Sequence, residues 1–235
     1  AGIRMIGPNC LGLSDNSNGV YLAANDFAVG DVALLSQSGN LALELDVLFR
    51  AAGLGFSRFV SIGNQADVGL VELMDSCIAD ASTAAIALYV EDFIDGRAFI
   101  AAAQRAHTAG KPVVVLASGS SPAALRSAGS HTGALSSAED IVRLACASAG
   151  ATFVQTPREL VTALRVLHRG RPPMCRSVAI VTDGGGHGTL AAGLLETAGF
   201  ELPSPSDALQ AQLRAALWPP SSVVKPVELG GYGEQ

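Results

Sequence analysis

Apolar segments of strand length alternate with amphipathic segments of helical length along most of the chain. The pattern predicts strands at 31–36, 57–62, 84–90, 112–117 and 151–155. It predicts helices at 39–52, 69–80, 95–109, 137–149 and 157–168. The strands are rich in Val, Ile and Leu without alternating polar residues, so both faces of the sheet should be buried. The sequence therefore predicts an α/β fold built on a doubly wound parallel sheet.

The same pattern predicts how the chain divides into domains. Five strand–helix units within residues 28–170 are typical of a flavodoxin-like domain, and Arg169–Pro173 (Arg-Gly-Arg-Pro-Pro) suggests a linker. After the linker we expect a strand at 178–182, a turn at 183–188, a helix to residue 198, a strand near 200–202 and a helix to about 217. This is too little for a complete sheet, so residues 171–235 should be the start of a second flavodoxin-like domain. Residues 1–27 are rich in Gly and Asn and should form an irregular lead-in.

Composition excludes several classes of function. The 235 residues carry a net charge of −6, only 15% are charged, and Lys and Arg form no cluster. A partner that is a nucleic acid or an anionic membrane is therefore not expected, and no apolar run reaches the length of a membrane-spanning helix. Four scattered cysteines without a Cys-x-x-Cys pair suggest free thiols in the cytoplasm and no metal site.

Polar residues follow the predicted strands where ligands bind in parallel sheets. Ser36–Asn40 (Ser-Gln-Ser-Gly-Asn) joins a strand to a helix, and free backbone N–H groups at such a turn bind phosphate. Glu91 follows the third strand and His131 lies in the Gly/Ser-rich segment after the fourth. Together they suggest phosphoryl chemistry on a histidine whose neutral tautomer is held by a carboxylate. The plainer alternatives are a helix N-cap, a carboxylate without a partner and a solvated histidine.

A second glycine-rich turn, Asp183–Gly188, also opens a predicted helix. Gly185, Gly186 and Gly188 are candidate phosphate-binding positions in it. The spacing from Gly186 to Ala191 also matches a relaxed dinucleotide fingerprint, although Glu201 stands at the start rather than the end of the next predicted strand.

Six segments in chain order carry a resemblance to a known family. They are Gly7–Gly12 (Gly-Pro-Asn-Cys-Leu-Gly), Ser36–Gly39, Glu91, Ser130–Gly133 (Ser-His-Thr-Gly), Gly184–Gly188 and Pro226–Gly231 (Pro-Val-Glu-Leu-Gly-Gly). Over essentially the whole chain they resemble NDP-forming acyl-CoA synthetases of the succinyl-CoA synthetase superfamily, such as the ADP-forming acetate–CoA ligases. The resemblance departs at His187, where the family often has proline, and at Lys225, where it often has asparagine.

The resemblance implies a role for each matching residue. His131 would be phosphorylated and would carry phosphate between an acyl-phosphate/CoA site and a nucleotide site, with Glu91 as its hydrogen-bond partner. The helix N-termini after Ser38 and Gly186 would face the phosphohistidine. Asn9, at the end of the CoA-binding domain, would lie near the pantetheine of CoA.

The resemblance also implies cofactors and partners. CoA and a small carboxylic acid or acyl-CoA would be the reactants, and ATP or GTP with Mg would be bound by a domain outside this chain. The chain has no ATP-grasp domain and only the last residues of a CoA-binding Rossmann domain, in residues 1–27. Both are expected as further domains or subunits, and we expect an oligomer.

The resulting expectation is part of an NDP-forming acid–CoA ligase that is inactive without those domains. Two alternatives remain at this stage. One is a non-catalytic module that senses CoA or acyl-CoA within a larger fusion protein, although such a sensor needs neither His131 nor Glu91. The other is a dinucleotide-binding domain of an oxidoreductase, based on Gly186–Ala191.

Overall fold

The computed structural model describes residues 2–23, 25–117, 139–169 and 175–231. Their contacts divide the chain into two compact units, Ala1–Arg171 and Pro172–Gln235. Each unit has its own sheet and its own helices.

The first unit contains seven strands and five helices among its described residues. The strands are β1 (Leu13–Asp15), β2 (Val20–Tyr21), β3 (Val29–Ser36), β4 (Phe56–Ser61), β5 (Ala85–Val90), β6 (Val113–Ala117) and β7 (Thr152–Val154). The helices are α1 (Gly39–Ala51), α2 (Leu70–Ala79), α3 (Gly96–Thr108), α4 (Glu139–Ser148) and α5 (Pro157–Arg169). Every predicted strand and helix of this unit is present, with bounds that differ by at most about two residues.

The sheet has the strand order β2-β1-β4-β3-β5-β6-β7. Strands β3 to β7 are parallel and, counted in chain order, follow the 2-1-3-4-5 order of flavodoxin-like sheets. The prediction of a doubly wound parallel sheet is confirmed. The strand order reverses at β3, which lies between β4 and β5, and this reversal decides where a ligand site can form.

Both faces of the parallel sheet are covered, as the apolar strand sequences predict. Val32 and Leu34 of β3 pack into one cluster with the buried faces of α1 and α5. Ala33 and Leu35 pack into a second cluster on the opposite face, with α2, α3 and α4. The strands are therefore rigidly held, and only their ends reach solvent.

Residues 1–27 depart from the expected irregular lead-in. Strands β1 and β2 form a hairpin, and β1 adds to the sheet antiparallel to β4. Arg58 of β4 forms an ion pair with Asp15 of β1, with 2.9 Å between Arg58 Nη2 and Asp15 Oδ2. Burial acts to raise the pKa of Asp15, but hydrogen bonds from Ser17 and Asn18 and the charge of Arg58 outweigh it and lower the pKa to about 2. The carboxylate therefore stays ionised and fastens the hairpin to the sheet.

The described residues of the second unit form two short parallel strands, β8 (Val181–Thr182) and β9 (Val227–Glu228), and helices α6 (Gly185–Thr197) and α7 (Asp207–Ala216). Three expectations need correction here. The strand predicted at 178–182 is limited to Val181–Thr182. The predicted turn at 183–188 ends at Gly184, because Gly185–Gly188 already form the first turn of α6. The strand predicted near 200–202 is a single bridge between Glu201 and Ser177, so little sheet forms there.

No helix in the described part of the chain is long and apolar enough to cross a membrane.

Candidate functional site

The carboxyl ends of β3 and β5 form the switch point of the first sheet. Chain connections leave these two neighbouring strands toward opposite sides of the sheet, which opens a crevice between them. Ser36 ends β3 and Glu91 directly follows β5. The fold therefore brings the two predicted site segments, which are 55 residues apart in sequence, to one edge.

The turn after β3 is built by two serine hydroxyls. Ser36 Oγ donates to the carbonyl oxygen of Ser38 at 2.6 Å and accepts from the Ser38 amide at 3.2 Å. Ser38 is the N-cap of α1, and its Oγ accepts from the Leu41 amide at 3.3 Å. Both hydroxyls thus form hydrogen bonds inside the turn. Ser38 caps the helix, which is the plainer alternative considered for this turn in the sequence. The groups left for a ligand are the amides of Gly39 and Asn40, which precede the first intrahelical bond.

A cleft of about 270 Å³ opens in front of this turn. It is lined by Asn9, Cys10, Leu11, Gln37, Ser38, Gly39, Asn40 and Glu91. Six of the predicted site residues therefore meet in one cleft, while Ser36 is fully buried behind it. The first turn of α1 contains no acidic residue, so the positive end of the helix is free to attract an anion.

The Glu91 carboxylate has a defined neighbour. The phenol of Tyr89 donates to Glu91 Oε1 at 3.4 Å. Burial, with the adjacent Glu91 carboxylate, raises the pKa of Tyr89 to about 12, so the phenol remains a donor. Glu91 keeps its second carboxylate oxygen for a ligand or another side chain. Sequence reasoning missed Tyr89, because nothing in an apolar strand distinguishes a tyrosine that faces a carboxylate.

The segment that carries Asn9 crosses the ends of β4 and α2. The Leu11 amide donates to Ser61 Oγ at 3.0 Å, and the Asn64 amide donates to the carbonyl oxygen of Pro8 at 3.0 Å. Arg4 anchors the start of the segment through ion pairs with Asp67 and Glu72. Cys10 and Leu11 line the cleft beside Asn9, and the Gly-Pro-Asn-Cys-Leu-Gly segment was the signal that could have identified them.

Gly63 permits this close approach. Its φ is +58°, and a Cβ at this position would lie 2.2 Å from the carbonyl oxygen of Pro8. Gly63→Ala should lower the free energy of unfolding by about 3 kcal/mol, since it combines a left-handed alanine with a backbone clash. Gly53→Ala is the matched control, because Gly53 has φ +67° but open space around it. It should cost about 1 kcal/mol; equal losses in denaturant titrations would show that residues 8–9 do not press on Gly63.

The second unit repeats the turn geometry. Thr182 Oγ1 donates to the carbonyl oxygen of Gly184 at 3.1 Å and accepts from the Gly184 amide at 3.3 Å, as Ser36 does with Ser38. The three candidate phosphate-binding glycines at the start of α6, Gly185, Gly186 and Gly188, differ in surroundings. Gly186 is exposed with open space around it, whereas Gly188 is buried against Pro226 and Thr182, so packing alone accounts for that glycine.

An acidic side chain faces the start of α6. A Cβ placed on Gly185 would lie 2.8 Å from a carboxylate oxygen of Glu228. Glu228 belongs to the Pro-Val-Glu-Leu-Gly-Gly segment, whose backbone pairs with β8 through β9. An acidic side chain therefore lies beside the first turn of α6, as Glu91 lies in the cleft in front of α1.

His131 lies outside the described residues, as do 118–138 as a whole. Within the described ranges, His, Cys, Asp and Glu side chains form no group of three that could hold a metal ion.

Comparison with known proteins relates this geometry to a family. A family model described as the succinyl-CoA ligase like flavodoxin domain matches residues 29–167, more than half of the chain. The chain is similar to subunit alpha of the ADP-forming acetate–CoA ligase II of Pyrococcus furiosus, with 35% identity over 97% of this chain. It is also similar to a trans-feruloyl-CoA synthase from an unknown prokaryotic organism, with 34% identity over 99% of this chain. It spans 50% of the first relative and 34% of the second.

A solved structure agrees with the sequence relatives. The dinucleotide-forming acetyl-coenzyme A synthetase 1 of Candidatus Korarchaeum cryptofilum, in complex with phosphate and ADP, superposes with a TM-score of 0.86 and 28% identity. The match covers 98% of this chain and 50% of that one. The chain therefore belongs to the NDP-forming acyl-CoA synthetases of the succinyl-CoA synthetase superfamily, and it carries their succinyl-CoA ligase like flavodoxin domain.

Proposed function

We propose that this chain is part of an NDP-forming acid–CoA ligase, which converts a carboxylic acid, CoA and NTP into acyl-CoA, NDP and phosphate. The terminal phosphoryl group of NTP passes to His131 and releases NDP. The carboxylate of the acid then takes the phosphoryl group from His131 to give an acyl phosphate. The CoA thiolate attacks the carbonyl carbon of the acyl phosphate and releases phosphate, which leaves acyl-CoA. Each step is reversible.

The observation that carries this proposal is the cleft at the switch point. It places the start of α1, the Glu91 carboxylate and Asn9 around one space of about 270 Å³. The free amides of Gly39 and Asn40 would hold the phosphoryl oxygens, and the first turn of α1 contains no acidic residue of its own to repel them. Glu91 would accept a hydrogen bond from one imidazole nitrogen of His131, which keeps the other nitrogen unprotonated for attack.

The remaining reactants need groups that lie outside the cleft. Nucleotide with Mg would be held by an ATP-grasp domain or subunit, and CoA by a Rossmann domain with Asn9 near its pantetheine. Similar proteins act on acids as different as acetate and ferulate, by their names. We infer a small carboxylic acid as the substrate of this chain, and a panel of such acids identifies it.

The test of this function is acid-dependent turnover. The chain, reconstituted with its ATP-grasp and CoA-binding parts, should release NDP and form acyl-CoA only when a carboxylic acid, CoA and NTP are all present. Acetate and ferulate are the first acids to compare. Binding of CoA or acyl-CoA without turnover for any acid would favour the sensing module instead. Hydride transfer to a nicotinamide cofactor would contradict the ligase altogether.

The second turn has a prediction of its own. If the start of α6 also holds the phosphoryl group, Gly186→Asp should lower the rate of phosphohistidine formation at least tenfold, since a carboxylate there repels phosphate. The side chain fits, because a Cβ on Gly186 meets no atom within 4 Å. Gly193→Asp is the matched control: it makes the same change at an exposed position of α6 with equally open space. Equal labelling rates in both variants would show that the start of α6 does not hold the phosphoryl group and only connects β8 to the helix.

A further inference from the structure

The carboxamide of Gln37 is not directed at a ligand, although Gln37 lines the cleft. Its Oε1 accepts hydrogen bonds from the amides of Glu91 and Asp92, the latter at 3.0 Å. Its Nε2 donates to the carbonyl oxygen of Asp92 at 2.9 Å. All three partners lie in the loop after β5, more than fifty residues away in sequence. Both lone pairs of Oε1 and one N–H of Nε2 are thus bonded to the backbone of Glu91 and Asp92.

A second glutamine holds the same loop from the other side. Gln65 Nε2 donates to the carbonyl oxygen of Asp92 at 3.2 Å, and Gln65 Oε1 accepts from the Leu70 amide at the start of α2 at 2.9 Å. The Asp92 carbonyl oxygen therefore accepts from both glutamines. Through them the loop that carries Glu91 is joined to the α1 turn and to the α2 turn.

This arrangement fixes where the Glu91 side chain begins. A residue after the end of a strand has no ladder partner, and its backbone orientation depends on what holds it. Here the Glu91 amide donates to the side chain of Gln37, and Gln37 itself lies between Ser36 and Ser38 in the α1 turn. Gln37 thus joins the backbone of Glu91 directly to the turn that presents the free amides of Gly39 and Asn40.

We propose that Gln37 is a positioning residue, which acts through Glu91 rather than through contact with the phosphoryl group. This inference rests on the proposed function, because it concerns the rate of phosphoryl transfer to and from His131. Oε1 of Gln37 can only accept hydrogen bonds and already accepts two, so it offers nothing to a phosphate oxygen. Loss of Gln37 should therefore matter only while Glu91 can act.

The test is a double-mutant cycle on the reconstituted enzyme. Gln37→Met keeps the length of the side chain and removes its hydrogen bonds, and Gln37→Ala is a second variant in case methionine repacks. Each should slow phosphohistidine formation from labelled nucleotide by roughly tenfold when Glu91 is present. In the Glu91→Gln background the same changes should alter the rate less than about twofold. Equal factors in both backgrounds would overturn the inference, since Gln37 would then act independently of Glu91.

Hydrogen exchange supplies a readout that does not depend on activity. In Gln37→Met the amides of Glu91 and Asp92 should exchange roughly tenfold faster, since their acceptor is gone. Gln104→Met is the matched control, because Gln104 also bonds to a backbone carbonyl, that of Ser148, on the exposed side of α3. It should change neither exchange at Glu91 nor labelling.

The two measurements separate the possible failures. Unchanged exchange at Glu91 and Asp92, with slow labelling in Glu91→Gln, would overturn the positioning role of Gln37 and leave the proposed function intact. An unchanged labelling rate in Glu91→Gln would instead overturn the role of Glu91 in the proposed function, and the role of Gln37 with it.

Discussion

Replacing His131 with asparagine should abolish acid-labile labelling of the reconstituted enzyme by γ-labelled nucleotide. Overall acyl-CoA formation should fall at least about 10³-fold, because the proposed phosphoryl acceptor is removed and no second nucleophile takes over its step. The prediction follows from the Ser-His-Thr-Gly segment and from the phosphate-compatible cleft between β3 and β5. The label is best measured as phosphohistidine after rapid quench into alkali, followed by peptide mapping.

The matched control for this experiment is His107→Asn. His107 is an exposed residue in the last turn of α3. Its ring lies beside Gly150, 3.0 Å from where a Cβ of that residue would be. This variant should label at the normal rate. Label on any histidine other than His131, or full activity of His131→Asn, would contradict the relay.

Changing Glu91 to glutamine should lower the rate of phosphoryl transfer about 10²-fold or more, the usual scale for a lost acid–base partner. Glutamine keeps the shape of the side chain but can no longer stabilise a proton on the imidazole. The melting temperature should move little, because the carboxylate of Glu91 faces the cleft and its hydrogen bond from Tyr89 is long, at 3.4 Å. Rapid-quench labelling and thermal unfolding on the same preparation measure both effects.

Asp95→Asn is the control for Glu91. It neutralises a carboxylate in the same loop, and asparagine caps a helix about as well as the aspartate that now accepts from the amides of Arg97 and Ala98. Its labelling rate should stay within about twofold of the parent. A Glu91→Gln enzyme with the same rate as Asp95→Asn would remove Glu91 from the mechanism.

The parallel sheet was predictable because its signal is local. The apolar runs in β3, β5 and β6 are long enough to show burial on both faces, and their order along the chain implies parallel pairing. The hairpin of β1 and β2 was missed, because strands of three and two residues among Gly and Asn carry no periodic signal. They form because β4 offers an open edge, and that is a property of the assembled sheet.

The candidate site divides in the same way. The residues that follow β3 and β5 were predictable as members, since residues after neighbouring parallel strands must meet at one edge. Cys10, Leu11 and Tyr89 were not predicted. What each side chain does there was not predictable. Ser38 caps α1, and Gln37 bonds to a loop more than fifty residues away, so the backbone amides of Gly39 and Asn40 are what the turn presents. Such long-range polar pairing leaves no pattern in a single sequence.

The two glutamines that hold the Glu91 loop share a property that ionisable anchors lack. A carboxamide neither gains nor loses a proton in the pH range in which enzymes work, and a neutral hydrogen bond is hardly screened by salt. The imidazole and carboxylate at the centre of the proposed chemistry act through their charge and that of the phosphoryl group, whereas the carboxamides that hold the loop are neutral. Added electrolyte should thus screen the charges of the reacting groups while the hydrogen bonds that orient them keep their strength.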